Sequence, residues 1–271
     1  MEIKNIYPDE LEDFLSQKKD SQFLLVDVRQ AEEYEQEHIP GAKLLPLSEL
    51  EYRLDELNED RELVFYCRSG RRSNVSASFA KDSGLVGTNI YNLVGGISAW
   101  EGKVLEEFPK LDVVENFEDL SQVLTQAINM EKGTQVLYET MMEKSPDPQL
   151  KNTMQKLFKM EIAHAKVIYK YLSKIDKVEP FAELYARLKG DIVEGGWDLE
   201  AMIDKIQEEE GNLCLFLFEL ALDLEYRAYD LYRNMAERSE EVDWQKAFFY
   251  LSEQEKAHAR LLAQRLPDCF F

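Results

Sequence analysis

Ala127-Ile-Asn-Met-Glu131-Lys-Gly-Thr-Gln-Val-Leu-Tyr138 returns further along the chain as Ala221-Leu-Asp-Leu-Glu225-Tyr-Arg-Ala-Tyr-Asp-Leu-Tyr232. A second pair obeys the same rule, with Glu161-Ile-Ala-His164-Ala reappearing as Glu255-Lys-Ala-His258-Ala. Every matched position is displaced by 94 residues (131 to 225, 138 to 232, 161 to 255, 164 to 258), with no gap. A helical hairpin duplicated in tandem explains a constant offset of this kind. Apolar residues around both copies recur with a period near 3.6, which predicts four main helices at roughly 117–143, 147–175, 212–238 and 241–266. The intervening stretch, 180–210, reads as short helices broken at Gly195-Gly196 and Gly211.

The turns set the level of the glutamates. Pro146, inside the breaker run Ser145-Pro-Asp-Pro148, lies midway between Glu131 and Glu161, and Glu240 lies midway between Glu225 and Glu255. Folded there as antiparallel hairpins, each pair comes to the same height, about 22 Å from its turn at 1.5 Å per residue. The i, i+3 spacing within Glu-x-x-His puts both side chains on one helix face. Packing the hairpins together therefore gathers Glu131, Glu161, Glu225 and Glu255 with His164 and His258. Buried carboxylates are too costly to keep without positive charge. Two iron ions would supply it, and manganese or zinc also suits such a donor set.

One Glu from each of two helices, with Glu-x-x-His from each of the other two, is the donor pattern of ferritin-like di-iron bundles. Residues 117–266 resemble the rubrerythrin branch of that superfamily. The resemblance implies a di-iron site held by Glu131, Glu161, His164, Glu225, Glu255 and His258. It also implies reduction of peroxide or oxygen, fed by a separate electron-donor protein. Tyr138 and Tyr232, seven residues after a ligand, are expected to hydrogen-bond the site. Two features depart from the family pattern. No Cys-x-x-Cys is present to build a rubredoxin-type iron site. The additional glutamate that typical rubrerythrins carry one turn from a helical ligand is missing, because Thr134 and Ala228 occupy those positions.

The first 110 residues follow a different grammar. Phe23–Val28, Ala42–Pro46, Leu63–Cys67 and Asn89–Val94 read as buried strands, with helical character at Glu49–Leu57 and Ser73–Lys81. That order predicts an α/β domain with a mostly parallel sheet over 1–108, a linker at 109–116 and an all-α four-helix bundle over 117–271. Cys67-Arg-Ser-Gly-Arg-Arg-Ser73 follows a strand and opens a helix. Backbone N–H groups in such a turn point at the sulfur, and Arg68, Arg71 and Arg72 add to the positive field, so a lowered thiol pKa is expected.

The wider pattern resembles the rhodanese family: Val26-Asp-Val-Arg29, then Glu33 followed by His38-Ile-Pro-Gly-Ala42, the Cys67 loop, and Gly95-Gly-Ile-Ser-Ala-Trp100. This implies a sulfurtransferase that works through a Cys67 persulfide. Arg68, Ser69, Gly70, Arg71 and Arg72 would bind the substrate, and Asp27 and Arg29 would support the loop. Phosphatases of the same fold need an arginine where Ser73 stands. His38 is expected to order the Ile39-Pro40-Gly41 turn rather than to react.

Composition sets the outer bounds. A net charge of −21 over 271 residues argues against sequence-independent nucleic-acid binding. No apolar run approaches the ~20 residues of a membrane helix. The opening Met1-Glu-Ile-Lys-Asn carries no secretory pattern, so a cytoplasmic protein is expected. With only Cys67, Cys214 and Cys269, no disulfide framework is expected; Cys214 reads as core and Cys269 as a loose thiol. The combined expectation is sulfane-sulfur transfer through a Cys67 persulfide, coupled in one chain to a di-iron carboxylate site that reduces peroxide or oxygen. Small-molecule sulfur donors and acceptors, peroxide or oxygen, and a homodimeric assembly are the expected partners. The alternative is a rhodanese sulfurtransferase whose bundle only binds metal or dimerises.

Overall fold

The computed structural model describes residues 2–57, 60–84, 88–115, 119–239 and 241–270. The chain divides into two compact units, Met1–Phe108 and Pro109–Phe271. Among the described residues no helix is long and apolar enough to cross a membrane.

In the first unit β1 (Ile3–Ile6), α1 (Pro8–Gln17), β2 (Phe23–Asp27), α2 (Ala31–Gln36), β3 (Lys43–Leu44), β4 (Glu62–Tyr66), α3 (Arg71–Asp82) and β5 (Ile90–Leu93) follow in order. The strands form one parallel sheet, β1-β5-β4-β2-β3. Successive residues of a strand face opposite sides. Leu24, Val26, Leu63 and Phe65 pack in one apolar cluster, and Phe23, Leu25, Val64 and Tyr66 in another. Both faces are covered, which is why β2 reads as a continuous apolar run. The edge strand β1 escapes a search for apolar runs because Lys4 and Asn5 interrupt it. Glu49–Leu57, expected to be helical, forms two short 3-10 turns at Leu50–Tyr52 and Leu54–Glu56.

The second unit contains α4 (Asp112–Glu115), α5 (Leu120–Lys144), α6 (Pro148–Ile175), α7 (Phe181–Arg187), β6 (Ile192–Val193), β7 (Trp197–Asp198), α8 (Leu199–Glu208), α9 (Leu213–Arg238) and α10 (Val242–Ala263). Helices α5, α6, α9 and α10 are the four main helices of the sequence pattern. Asp147 caps α6, accepting the N–H groups of Gln149 and Leu150 at 2.7 and 2.8 Å, with Pro148 in the first turn. Glu240, the midpoint of the second hairpin, lies outside the described residues, as do 116–118 at the expected start of the first helix. The crossover from α6 to α9 differs from its reading as short helices alone. Strands β6 and β7 pair antiparallel around a 3-10 turn, Glu194–Gly196, where Gly195 takes φ +76°.

One cysteine expectation is overturned: Cys214 and Cys269 form a disulfide. They are 55 residues apart in sequence, yet the first turn of α9 and the segment after α10 meet at one end of the second hairpin, with Cα atoms 5.6 Å apart. Neither a loose thiol nor a chain without disulfides describes this protein.

Candidate metal centre and cysteine loop

Two apolar clusters, one around Ile128, Ile168, Leu231 and Phe248, the other around Leu137, Leu157, Leu217 and Leu262, sit along the bundle. Level with the repeat, Glu131, Glu161, His164, Glu225, Glu255 and His258 are all buried and brought together. His164 Nδ1 lies 3.4 Å from Glu161, 3.7 Å from Glu255 and 3.8 Å from Glu131. His258 Nδ1 lies 3.1 Å from Glu225, 3.1 Å from Glu255 and 3.5 Å from Glu161. The two imidazoles stack at 4.8 Å. Ligand atoms of Glu161, His164, Glu255 and His258 fall within 4.8 Å of one another, as do those of Glu131, Glu161 and Glu194.

Burial pushes the Glu131, Glu194 and Glu255 carboxyls well above the usual carboxylate range, and neighbouring carboxylates add to it. Burial also works upward on Glu225, but His258 and Tyr138 outweigh it and hold that group below its ordinary value. For His258 burial opposes charge, yet Glu225, Glu161 and Glu255 raise it. Of the two tyrosines expected to bond the site, Tyr138 donates to Glu225, while Tyr232 donates at 3.0 Å to Glu194, a residue outside the expected set.

In the first unit Cys67 is buried at the end of β4, and its sulfur receives the Gly70 N–H at 3.2 Å. The Ser73 hydroxyl lies 3.5 Å from the sulfur and 2.6 Å from Asn92 Oδ1. Burial pushes the thiol up, but the Ser73 hydroxyl and the N–H groups of Ser73, Ser69 and Gly70 prevail, leaving it below its ordinary value. Arg68, Ser69 and Arg71 are exposed on the loop. Arg72 is gripped by Glu33 through two bonds of 2.6 and 2.7 Å, which holds the Glu33 carboxyl down at about 2. Gly95-Gly96 close the loop from behind: Ile97 and Ser98 donate to the carbonyls of Cys67 and Arg68 at 2.9 and 3.0 Å. A Cβ on Gly96, at φ +59°, would collide with the Cys67 carbonyl. Asp27 and Arg29 form a buried bidentate pair, and Arg29 reaches the Glu37 carbonyl at 2.5 Å. His38 stacks on Tyr34 at 3.9 Å and contacts its carbonyl through Nδ1 at 3.1 Å.

Comparison with known proteins matches a rhodanese-like domain model to residues 7–103 and a rubrerythrin model to residues 122–213. This chain fuses a rhodanese-like domain to a rubrerythrin domain. YrkF of Bacillus subtilis is 46% identical over 84 residues, which are 31% of this chain and 44% of YrkF, so the match spans under half of that relative. A sulfurtransferase of Allochromatium vinosum is 42% identical over 77 residues, covering 28% of this chain and 70% of that protein. Among solved structures, a rhodanese-like domain protein of Staphylococcus aureus matches with 30% identity and a TM-score of 0.35, over 38% of this chain and 98% of that one.

The rubrerythrin match covers Glu131, Glu161 and His164, while Glu225, Glu255 and His258 lie beyond it, in the second copy of the repeat. The family implies a di-iron centre, and the donor set suits one. Both oxygens of Glu131, Glu161 and Glu255, one oxygen of Glu194 and Nδ1 of His164 are buried without a hydrogen-bond partner. Groups this polar are not left so in a folded interior unless something else satisfies them. Glu194 is the residue that the sequence reading missed. It stands outside both copies of the repeat, on a turn, and no spacing rule ties it to the others.

Proposed function

We propose that the rhodanese-like domain transfers sulfane sulfur through Cys67, and that the rubrerythrin domain is a di-iron oxidoreductase acting on peroxide or oxygen. The sulfur half rests on one observation, a buried cysteine whose sulfur faces a turn of backbone N–H groups. The Cys67 thiolate attacks the outer sulfur of a donor such as thiosulfate; the donor's S–S bond breaks and sulfite leaves with the electron pair. The same N–H groups then receive the persulfide, and an acceptor thiolate removes the outer sulfur and restores Cys67. Arg72, fixed by Glu33, and the exposed Arg68 and Arg71 attract the anionic donor.

The redox half rests on the buried carboxylate oxygens that lack donors. Glu131, Glu161, Glu225 and Glu255, with His164 and His258, would hold two iron ions. Bound iron supplies one-electron chemistry toward peroxide or oxygen. Tyr138 orients Glu225, and the apolar clusters on either side keep bulk water from the carboxylates. Electrons come from a separate donor protein.

Thiosulfate-to-cyanide sulfur transfer by the full chain tests the first half; Cys67→Ser abolishes it, and turnover surviving that change defeats the assignment. Metal content and iron-dependent peroxide consumption test the second. If sulfur transfer persists while iron-loaded protein consumes no peroxide with any donor, the bundle only binds metal or dimerises.

A further inference from the structure

We infer that Glu194, carried by the crossover and not by a helix, is a seventh metal ligand that takes the place of the helical glutamate this sequence lacks. The inference rests on the metal-centre reading above and adds a residue that lies outside the repeated pattern.

Thr134 and Ala228 stand one turn beyond Glu131 and Glu225, where a helical carboxylate would project. Both positions are instead seats for the crossover. The Glu194 N–H donates to the Thr134 hydroxyl at 2.9 Å. A Cβ added at Gly195 would stand 2.8 Å from the Arg227 Cβ and 3.4 Å from the Ala228 N. On the other helix, a Cβ at Gly133 would collide with the Ile192 carbonyl. Glycines at 133 and 195 thus let the β6 segment and its turn lie directly on α5 and α9. Asn129 holds the approach, accepting the Gly190 N–H at 2.8 Å and donating to Asp191 at 3.0 Å.

The side chain that this docking delivers is 1% exposed. One oxygen accepts the Tyr232 hydroxyl, and the other has no hydrogen-bond donor. Glu194 offers a ligand atom within 4.8 Å of those of Glu131 and Glu161. A buried glutamate kept for structure alone would have both oxygens satisfied. Here one oxygen is oriented and the other is left facing two carboxylates, the disposition of a ligand with its orienting partner. The turn that carries Glu194 packs on the backbone of α9 at Arg227 and Ala228, beside the position where the helical glutamate is absent.

The test loads the full chain anaerobically with Fe(II) and reads bound iron per chain, its dissociation constants and its Mössbauer spectrum. Wild type, Glu194→Ala, Glu194→Gln and Tyr232→Phe are compared. The wild type is expected to hold two ions. Glu194→Ala and Glu194→Gln should bind the second ion at least about tenfold more weakly and change one quadrupole doublet, whereas Tyr232→Phe should keep both ions. Glutamine preserves the packing and the bond to Tyr232 but removes the charge. Wild-type affinity and spectrum in Glu194→Gln therefore overturn the inference, whatever the alanine variant does. A wild-type chain that takes up no iron defeats the metal-centre reading itself.

Discussion

Ser73→Ala should raise the pKa of Cys67, and the structure sets the size of the effect. The hydroxyl has one proton and two acceptors, Asn92 Oδ1 at 2.6 Å and the Cys67 sulfur at 3.5 Å. While Cys67 is a neutral thiol the proton belongs to Asn92; once the thiolate forms, the charge competes for it. A hydrogen bond to a charged group contributes about 1.5–3 kcal/mol, against about 0.5–1.5 kcal/mol for the neutral bond to Asn92 that is given up. The net stabilisation of the thiolate is about 1 kcal/mol, roughly a fivefold change in the ionisation equilibrium at about 1.4 kcal/mol per tenfold. Below the pKa, the thiolate fraction of Ser73→Ala should fall about fivefold. The rate of iodoacetamide alkylation against pH measures this, and Cys67 is the free thiol it reads because Cys214 and Cys269 are paired. Alanine suits the buried helical position, so the fold should persist. Asn92→Ala should move the profile the other way, releasing the hydroxyl to the sulfur. Shifts of the same sign in both variants, or none in Ser73→Ala, would refute the shared-proton account.

Other perturbations follow from the same contacts. Gly96→Ala forces a Cβ against the Cys67 carbonyl at positive φ; thiosulfate turnover should drop about 100-fold, with about 1–3 kcal/mol of lost stability in urea titrations. The Glu33 and Glu56 carboxyls are held at about 2 by hydrogen bonds from Arg72 and Arg53. Their folded values lie below the unfolded ones, so their stabilisation is complete above about pH 4.5 and is lost as pH falls toward about 2. Acid titrations of the urea midpoint should show a modest loss in that window, smaller in Glu33→Gln, because both pairs are partly exposed. Fe(II) should raise the melting temperature of the bundle in calorimetry, by the equivalent of about 4 kcal/mol at a free concentration ~1000-fold above the dissociation constant. Glu161→Ala, which removes the carboxylate common to both ligand groups, should abolish that rise; an unchanged rise would count against the site.

Local pattern and repetition made much of this protein legible. Helices that carry the same residues at a constant offset present the same faces, so spacing could name six residues that are buried together. The Cys67 loop was equally readable, because a short turn between strand and helix places its N–H groups without help from distant chain. The strands of the first unit announced themselves where apolar residues run together, and β1 did not because Lys4 and Asn5 interrupt it.

What spacing could not reach were contacts between segments with no common period. Cys214 meets Cys269 only because the second hairpin returns the chain to its starting end. Thr134 and Ala228 read as an absence in the helices, and that reading was true of the helices alone. Glu194 comes beside Glu131 and Glu161 through close backbone approaches at Gly133 and Gly195 that depend on missing side-chain volume. Helical periodicity determines which face a residue occupies; which distant turn fills the space beside that face is decided by packing in three dimensions.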